Sequence, residues 1–324
     1  MSSAPELIPR PVTVAVPATS ANLGPGFDCL GLALELRNKL VLRATGPALV
    51  FESHLTRYEM QVEGVDAHLV PTDDSNLAIE AAETLFDRIG YCPSKLVLRM
   101  TNCIPVGSGL GSSSSAIVAG LLGANALFGD PIARDELLRI AVSMEGHPDN
   151  VAPALCGGLV LGVLPDEEAG PAELVVRQWP PPNLTAVVVL PDFKLLTSEA
   201  RAVLPALLSR EDAIFNASRL GLLIHSLTSG DHHLLRAAMG DRLHQTRRLH
   251  IIPGATAAFD SAYEAGALGV ALSGAGPSLI AFTAQDADAV ALTMQTAFAA
   301  AGLNSRAWIL MPTADGASVH YDRE

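Results

Sequence analysis

The chain lacks the long apolar runs and basic blocks that would direct it to a membrane or to a nucleic acid. Among its 324 residues no apolar run reaches the ~18–20 residues that a helix needs to cross a bilayer, so no membrane partner is expected. Residues 1–5 show no basic stretch followed by an apolar one, which predicts no signal peptide. The net charge of −13 argues against nucleic acid as a partner.

Cysteine is also scarce, and its four positions form neither a Cys-x-x-Cys pair nor a zinc-binding spacing. Such a chain is typical of a reducing compartment, so the expected location is the cytoplasm. Apolar residues make up 49% of the chain and charged residues 17%, which is ample for packed cores. The length predicts about two domains, and the stiff stretch Pro180–Pro182 sets the expected division at residues 1–182 and 183–324.

A glycine- and serine-rich stretch, residues 105–116, is the most informative part of the chain. It reads PVGSGLGSSSSA, follows a predicted strand at Lys95–Met100 and precedes a predicted apolar helix at Ile117–Phe128. Glycines let the backbone approach a ligand closely, and the free N–H groups and dipole of a helix start favour a phosphate. A well-capped buried helix is the alternative. Three glycines and a run of four consecutive serines exceed what a cap needs, so a phosphate-binding loop is predicted.

Two common glycine signatures do not fit this loop. A Walker A loop ends in Gly-Lys-Ser/Thr, but no lysine occurs between Lys95 and Lys194. The dinucleotide fingerprint G-x-G-x-x-G needs a different glycine spacing and an early βαβ unit. The pattern Pro-x-Gly-x-Gly-Leu-Gly-Ser-Ser resembles instead the phosphate loop of the GHMP kinases, the superfamily of galactokinase, homoserine kinase and mevalonate kinase. This resemblance implies ATP binding by Pro105, Val106, Gly107, Ser108, Gly109, Leu110, Gly111, Ser112, Ser113 and Ser114.

A polar stretch near the N-terminus, residues 17–31, reads PATSANLGPGFDCLG and is predicted to be a loop of about twelve residues. A plain surface loop is one interpretation. Its amide, Asn22, and its carboxylate, Asp28, also suit a small polar ligand, since a carboxylate binds an amino group well. The stretch resembles the first motif of the homoserine kinase family. The resemblance implies that Asn22 faces the substrate hydroxyl and that Asp28 pairs with the substrate ammonium.

A glutamate, a histidine and an aspartate stand together within residues 145–149. They suit a metal site, with a transition metal as one option, or the capping and solvation of a helix end. A kinase needs oxygen ligands for Mg²⁺, and Glu145 and Ser113 offer a carboxylate and a hydroxyl. Residues 145–153 read EGHPDNVAP and resemble a sequence motif of the homoserine kinases. This implies Glu145 as a Mg²⁺ ligand, with His147 and Asn150 lining the substrate pocket.

Two arginine segments in the second half of the chain suit a substrate carboxylate. Arg201 follows a predicted helix start at which Thr197 or Ser198 is the expected cap, and Arg248 ends a His-Gln-x-x-Arg pattern. A guanidinium is a planar, permanently charged partner for a carboxylate, although surface arginines are common. Both segments resemble homoserine kinase segments, which implies a threonine beside the active site and two arginines on the homoserine carboxylate. The sequence leaves open whether Arg247 or Arg248 is the second arginine.

From Leu184 onward the predicted order is β, helices, β, β, α, β, the split βαβ ferredoxin-like pattern with a helical insertion in its first crossover. Residues 271–278, ALSGAGPS, fit a hairpin turn and also resemble the third GHMP motif. The resemblance implies an α+β fold of two domains. The first, residues 1–182, would be like domain 2 of ribosomal protein S5, and the second, residues 183–324, would be ferredoxin-like.

The resemblance also implies an activity, the ATP-dependent phosphorylation of L-homoserine in threonine biosynthesis, with ATP and Mg²⁺ as cofactors and a homodimer as a family expectation. It places Asn76 near the adenine, although a cap on the predicted helix Leu77–Ile89 would also explain that residue. No general base is predicted. Another small-molecule kinase of the superfamily and a non-catalytic ligand-binding module are the two alternatives. The residues to which a catalytic role is assigned are Asn22, Glu145, Thr197 and Arg201.

Overall fold

Two β-sheets, one of seven strands and one of four, organise the chain. The computed structural model describes residues 6–52, 55–168 and 170–322; the stretch 1–5, for which no signal peptide is predicted, lies outside these ranges. The strands are β1 (Val12–Asn22), β2 (Gly26–Val50), β3 (Arg57–Gly64), β4 (Tyr91–Asn102), β5 (Leu159–Val163), β6 (Val175–Trp179), β7 (Thr185–Pro191), β8 (Gly269–Leu272), β9 (Leu279–Thr283), β10 (Ser305–Leu310) and β11 (Ser318–Tyr321).

The helices divide between the two sheets. They are α1 (Leu77–Ile89), α2 (Ser112–Leu127), α3 (Arg134–Glu145), α4 (Pro148–Cys156), α5 (Thr197–Ala202), α6 (Arg210–Ser229), α7 (Leu235–Ala238), α8 (Gln245–His250), α9 (Ala255–Glu264) and α10 (Ala287–Ala300), with 3₁₀ turns at Ala67–Leu69 and His232–Leu234. Across the described ranges, no helix combines the length and the apolar character that crossing a membrane requires.

The seven-stranded sheet has the order β11-β1-β2-β4-β3, and β5 pairs with both β2 and β6. Strands β3 and β4 run parallel, whereas the other pairs are antiparallel. Helices α1 to α4 contribute to its core, in which residues such as Leu42, Phe86, Leu98 and Leu121 are almost fully buried. The apolar character of α2 on all sides follows from this position, because a helix enclosed by other elements needs no polar face.

The four-stranded sheet has the order β10-β7-β9-β8 and is antiparallel throughout. Its chain order is β7, then helices α5 to α9, then β8, β9, α10 and β10. This confirms the predicted α+β class and the ferredoxin-like pattern with a helical insertion. The valines at residues 187–189 explain why β7 lies in the middle of the sheet. Both faces of this strand are buried, and β-branched apolar residues suit such a position.

The last strand, β11, returns to the first sheet, where Tyr321 pairs with Val12 and Ser318 pairs with Ala15. The predicted division at residues 182 and 183 stays a prediction. We propose that the second unit ends near Leu310, so that residues 312–322 belong with the first sheet.

The prediction of a loop at residues 17–31 is wrong for most of these residues. Strand β1 continues to Asn22 and β2 begins at Gly26, so only Leu23–Pro25 remain as the turn. The polar residues Thr19 and Ser20 read as a loop, yet both are fully buried within the strand. Sequence patterning fails here because a strand that is covered on both faces shows no alternation of polar and apolar residues.

Candidate active site

A cavity of about 490 Å³ opens between the two sheets. The first sheet and its helices supply Asp28 and the residues around the glycine loop, and the second supplies a helix start and a glycine turn. Clefts of this size between structural units are common places for small ligands. Most of the predicted site residues meet here, namely Asn22, Asp28, Asn76, Val106, Gly107, Ser108, Gly109, Gly111, Ser112, Ser113, Glu145, His147, Asn150, Thr197, Arg201 and Arg248.

The glycine loop has the backbone that the sequence predicts. Gly107, Gly109 and Gly111 all have left-handed φ values, between 65° and 80°. A Cβ at Gly109 would lie 2.2 Å from the carbonyl oxygen of Ser273, and one at Gly111 would lie 2.1 Å from the Thr19 hydroxyl. Glycine is therefore required at both positions for conformation and for space.

The loop leads directly into α2, with Gly111 as the N-cap. Among the described residues, no side chain caps this helix start, so its first N–H groups are available to a ligand. Together with the positive end of the helix dipole, they form an anion-binding site. This supports the predicted phosphate-binding role and not the alternative of a side-chain-capped helix.

Three of the residues predicted to bind ATP do not line the cavity in the part of the chain that the structure describes. Leu110 is fully buried in an apolar cluster with Ala18 and Leu23. Pro105 accepts a hydrogen bond from the Ser108 hydroxyl at 2.8 Å, and Ser114 is fully buried in the first turn of α2. These three residues support the loop from behind, and their direct contact with a nucleotide stays a prediction.

A hydroxyl and a carboxylate meet at one end of the loop. The Ser113 O–H donates to Oε1 of Glu145 at 3.2 Å, which brings the first turn of α2 to the last residue of α3. Both side chains line the cavity. Oxygen atoms of these two types are the ligands that Mg²⁺ prefers, so the pair fits the predicted metal role.

The acidic cluster at residues 145–149 does not converge as a unit. Instead, ligand atoms of Asp28, His147 and Asp149 lie within 4.8 Å of one another. Nδ1 of His147 contacts Oδ1 of Asp149, which is buried in the first turn of α4. Burial lowers the pKa of His147, but the hydrogen bond and the charge of Asp149 outweigh it, so this pKa is raised above 6.5. Helix α4, which was not predicted from the sequence, positions two of these side chains, because His147 is its N-cap and Asp149 lies in its first turn.

A bidentate ion pair crosses the cavity between the two sheets. Nη1 and Nη2 of Arg201 donate to the two carboxylate oxygens of Asp28, each at 2.9 Å. Asp28 has a left-handed φ of 56°, which turns its side chain out of strand β2. The Arg201 guanidinium also lies 5.5 Å from the centre of the Phe27 ring. Two residues that the sequence assigned to opposite charges of a substrate are thus partners in this structure.

Arg248 lies behind this pair and is almost fully buried, whereas Arg247 is exposed. Nε of Arg248 donates to the Ala200 carbonyl at 3.0 Å, and Nη1 donates to the Gly274 carbonyl at 3.3 Å. Burial, followed by the nearby positive charge of Arg201, lowers the pKa of Arg248 to about 10, which leaves it protonated at neutral pH. Of the two arginines left open by the sequence, Arg248 is the one that reaches the cavity.

Two asparagines of the site use their polar atoms within the protein. Asn22 donates from Nδ2 to the Gly274 carbonyl at 2.8 Å and accepts the backbone N–H of Asp28 at 2.9 Å. Oδ1 of Asn150 accepts from the Thr19 hydroxyl at 2.8 Å. Both asparagines line the cavity, and their contact with a substrate stays a prediction.

The other two predicted residues lie at helix starts. Asn76 caps α1 by accepting the N–H of Ala78 at 2.9 Å, which agrees with the predicted capping role. Asn76 also lines the cavity. Thr197 is the first residue of α5, whose N-cap is Leu196, so neither Thr197 nor Ser198 is the cap. The Thr197 side chain is therefore not committed to capping and can face a ligand.

The sequence reading missed residues that hold this site together. His244 is fully buried; its Nε2–H donates to the Gly24 carbonyl at 2.7 Å, and its Nδ1 accepts from Arg248 at 3.3 Å. Asp66 accepts the backbone N–H of Val106 at 3.2 Å, which commits that loop N–H within the protein. Only the i, i+4 spacing of His244 and Arg248 was visible as a signal in the sequence.

Comparison with known proteins gives this cavity a family context. Residues 76–158 match the GHMP kinases N terminal domain, and residues 223–300 match the GHMP kinases C terminal family. A homoserine kinase of Synechococcus sp. is 44% identical over 314 residues, which cover 97% of this chain and 99% of that protein. One from Moorella thermoacetica is 42% identical over 306 residues, covering 94% and 99%. The chain belongs to the homoserine kinase family of GHMP kinases.

Solved structures agree with this family membership. A homoserine kinase from Cytophaga hutchinsonii has a TM-score of 0.83 at 29% identity, with 99% of both chains covered. A mevalonate kinase from L. major has a TM-score of 0.71 at 15% identity, covering 97% of this chain and all of that one, which shows the shared fold alone. The predicted GHMP architecture is confirmed, and ATP use follows from membership of a kinase family.

Proposed function

We propose that this member of the homoserine kinase family transfers the γ-phosphoryl group of ATP to the hydroxyl of L-homoserine, giving O-phospho-L-homoserine and ADP. One observation carries the proposal: a single cavity joins an uncapped helix start to an acidic residue and two arginines. The first feature suits a polyphosphate, and the second suits the ammonium and carboxylate of a small amino acid. We also propose a role in threonine biosynthesis, a cytoplasmic location and a homodimer on the basis of the family.

The nucleotide would lie along the loop and the start of α2. The glycines of the loop and the uncapped first turn of α2 offer close backbone approach and N–H groups for the phosphates, which matters in a chain of net charge −13. Asn76 lies in the same cavity beside the apolar side chains of Leu69 and Val70, a surface that suits the adenine base. The loop thus holds the triphosphate where a second ligand can approach it.

The metal would lie between the loop and α3. We propose that Glu145 and Ser113 hold Mg²⁺, since their oxygen atoms already meet at 3.2 Å. When bound there, the ion would neutralise charge that develops on the phosphates during transfer.

The substrate would bind across the Asp28–Arg201 pair. Asp28 would accept the ammonium, and Arg201 with Arg248 would bind the carboxylate, since guanidinium groups present paired donors. His147, Asn150 and Thr197 would line the pocket and Asn22 would face the hydroxyl, and the presence of all four residues on the cavity wall supports these roles.

Catalysis would then depend on positioning and on charge stabilisation, because phosphoryl transfer asks little covalent chemistry of the protein. His147 lines the cavity with its Nδ1 engaged by buried Asp149, but the family resemblance implies transfer without a dedicated base. We therefore assign no general base. Asn22 is itself fixed by the Gly274 carbonyl and by the Asp28 N–H, so its amide is held in one orientation.

A coupled assay of ADP release with ATP and L-homoserine tests the proposal. Turnover with L-homoserine, and none with mevalonate or galactose, is the expected result, because those alcohols carry no ammonium for Asp28. Equal turnover of the other alcohols would favour a different kinase of the superfamily. No turnover of any alcohol would favour a ligand-binding module.

A further inference from the structure

One carboxylate beside the start of the glycine loop links that loop to the second sheet. Oδ2 of Asp66 accepts the backbone N–H of Val106 at 3.2 Å. The same oxygen accepts from Nη2 of Arg306 at 3.3 Å, and Nη1 of Arg306 lies 3.5 Å from Oδ1. Asp66 follows β3 of the seven-stranded sheet, whereas Arg306 belongs to β10 of the four-stranded sheet. A loop N–H and a cation from the other half of the molecule thus share one acceptor.

We propose that Arg306 is a positioning residue for the nucleotide, which acts through Asp66 on the first backbone N–H of the glycine loop. The inference rests on the proposed function, because it assumes that the phosphates lie along this loop. The ion pair would do two things for such a ligand. It would hold the Asp66 carboxylate against Val106, and it would neutralise a negative charge beside a polyphosphate in a chain of net charge −13.

The burial of Asp66 makes its charge matter to the loop. Its side chain is 19% exposed, whereas that of Arg306 is 50% exposed. Solvent screens a mostly enclosed carboxylate weakly, so its charge acts on a neighbouring anion unless a cation compensates it. In the described part of the chain, Arg306 is the one cation that forms an ion pair with Asp66. Loss of Arg306 would therefore leave an uncompensated carboxylate next to the proposed phosphate site.

The backbone around Asp66 extends this constraint to the wall proposed for the adenine. Asp66 has a left-handed φ of 54° and precedes the 3₁₀ turn Ala67–Leu69. The N–H of Val65 donates to the Asn102 carbonyl at 2.7 Å, and the Val65 carbonyl accepts from Nδ2 of Asn102 at 2.6 Å. Leu69, at the end of the turn, lines the cavity. The same short segment therefore carries the base wall and the acceptor for the loop.

Arg306 is held in place by the second sheet. It lies opposite Leu190 where β10 pairs with β7, and its guanidinium lies 5.5 Å from the centre of the Trp308 ring, two residues further along the same face. The second sheet also contacts the middle of the loop, because the Ser273 hydroxyl donates to the Gly109 carbonyl at 2.8 Å. The ion pair with Asp66 adds a connection at the start of the loop.

A double-mutant cycle tests whether Arg306 acts through Asp66. The variants are Arg306→Gln, Asp66→Asn and the double variant, with Arg306→Lys as the charge-preserving substitution. Calorimetric titration of the full chain would measure the dissociation constant of ADP with Mg²⁺, and steady-state kinetics would measure the KM for ATP and for L-homoserine. Arg177→Gln is the matched control, because it removes the same charge from an exposed arginine on β6 that has no ion pair among the described residues.

In Arg306→Gln, ADP is expected to bind about two- to fivefold more weakly, the range for a partly exposed ion pair. The KM for ATP should rise by a similar factor, and the KM for L-homoserine should not change. The loss should shrink at high ionic strength, because salt screens a half-exposed pair. Arg306→Lys should restore most of the affinity, and Arg177→Gln should not alter it. In the Asp66→Asn background, Arg306→Gln should cause no further loss, because no carboxylate remains to be neutralised.

Unchanged ADP binding in Arg306→Gln would overturn the inference. An equal loss in the Asp66→Asn background would also overturn it, since Arg306 would then act on the nucleotide directly. An equal loss in Arg177→Gln would attribute the effect to net charge alone. Thermal melting checks the fold of each variant, with Arg306→Met as the substitute if Arg306→Gln is unstable. If the unmodified chain binds ADP but does not turn over L-homoserine, the proposed function fails; if it turns over L-homoserine but Arg306→Gln binds ADP equally well, only this inference fails.

Discussion

Replacement of Arg248 by alanine should weaken the binding of L-homoserine and leave the binding of ATP nearly unchanged. The side chain is 2% exposed and, within the described chain, its hydrogen bonds use Nε and Nη1, which leaves Nη2 for a ligand carboxylate. Loss of a buried, charge-assisted contact costs about 2–4 kcal/mol, so kcat/KM for L-homoserine should fall roughly 30- to 1000-fold. The KM for ATP should change little, because Arg248 contacts no residue of the glycine loop in the described structure.

The same substitution also has a cost for folding. The Ala200 carbonyl and Nδ1 of His244 each lose a donor, at about 1–3 kcal/mol for each group left unsatisfied, whereas the Gly274 carbonyl keeps its hydrogen bond from Asn22. Steady-state kinetics with each substrate varied in turn should therefore be paired with thermal melting. Arg247→Ala is the matched control, because it removes the same charge from the exposed neighbouring residue. Equal rises in both KM values, or an equal effect of Arg247→Ala, would refute the carboxylate role.

Three further predictions concern other parts of the cavity. Glu145→Gln should lower kcat at least about tenfold and raise the Mg²⁺ concentration needed for half-maximal rate; unchanged metal dependence would remove Glu145 from the site. Asp66→Asn should raise the KM for ATP about two- to tenfold with little effect on L-homoserine, because the Val106 N–H loses a charged acceptor; kinetics with varied ATP measure this. The raised pKa of His147 adds stability below pH 6.5 that is lost as pH rises through that pKa. Denaturant unfolding at several pH values should therefore show the advantage over His147→Gln shrinking as pH rises, and a constant difference would contradict it.

The parts of the fold with a strong local signature were predictable from the sequence. The four-stranded sheet follows from a β-branched central strand and from the order of strands and helices after Leu184. The glycine loop was equally predictable. Its backbone has positive φ values at Gly107, Gly109 and Gly111, and few other structures require glycines at this spacing. In both cases the structure places its requirements on residues that are close in sequence, so a short stretch of chain is enough to predict it.

The rest depends on residues that are distant in sequence. Strand β3 pairs in parallel with β4, although α1 lies between them in sequence, and β11 near the C-terminus pairs with β1 near the N-terminus. No local sequence pattern predicts either pairing. The pairing of Asp28 with Arg201 spans 173 residues. Each residue was assigned to a substrate charge by resemblance, but their mutual bond is a property of the folded cavity. Long-range contacts of this kind require coordinates.

Several of the hydrogen bonds that join the two halves of the site converge on one turn of the second sheet. The Ser273 hydroxyl donates to the Gly109 carbonyl at 2.8 Å and lies 2.9 Å from the Ser20 hydroxyl, while Asn22 and Arg248 both donate to the Gly274 carbonyl. The phosphate loop, the residue proposed to face the hydroxyl and the arginine proposed for the carboxylate therefore share a single anchor. Because in-line transfer tolerates little misplacement, this turn would fix the distance between the proposed nucleotide and amino-acid positions. Gly274 and Gly276, which have φ values of 56° and 92°, supply the backbone conformation on which this anchor depends.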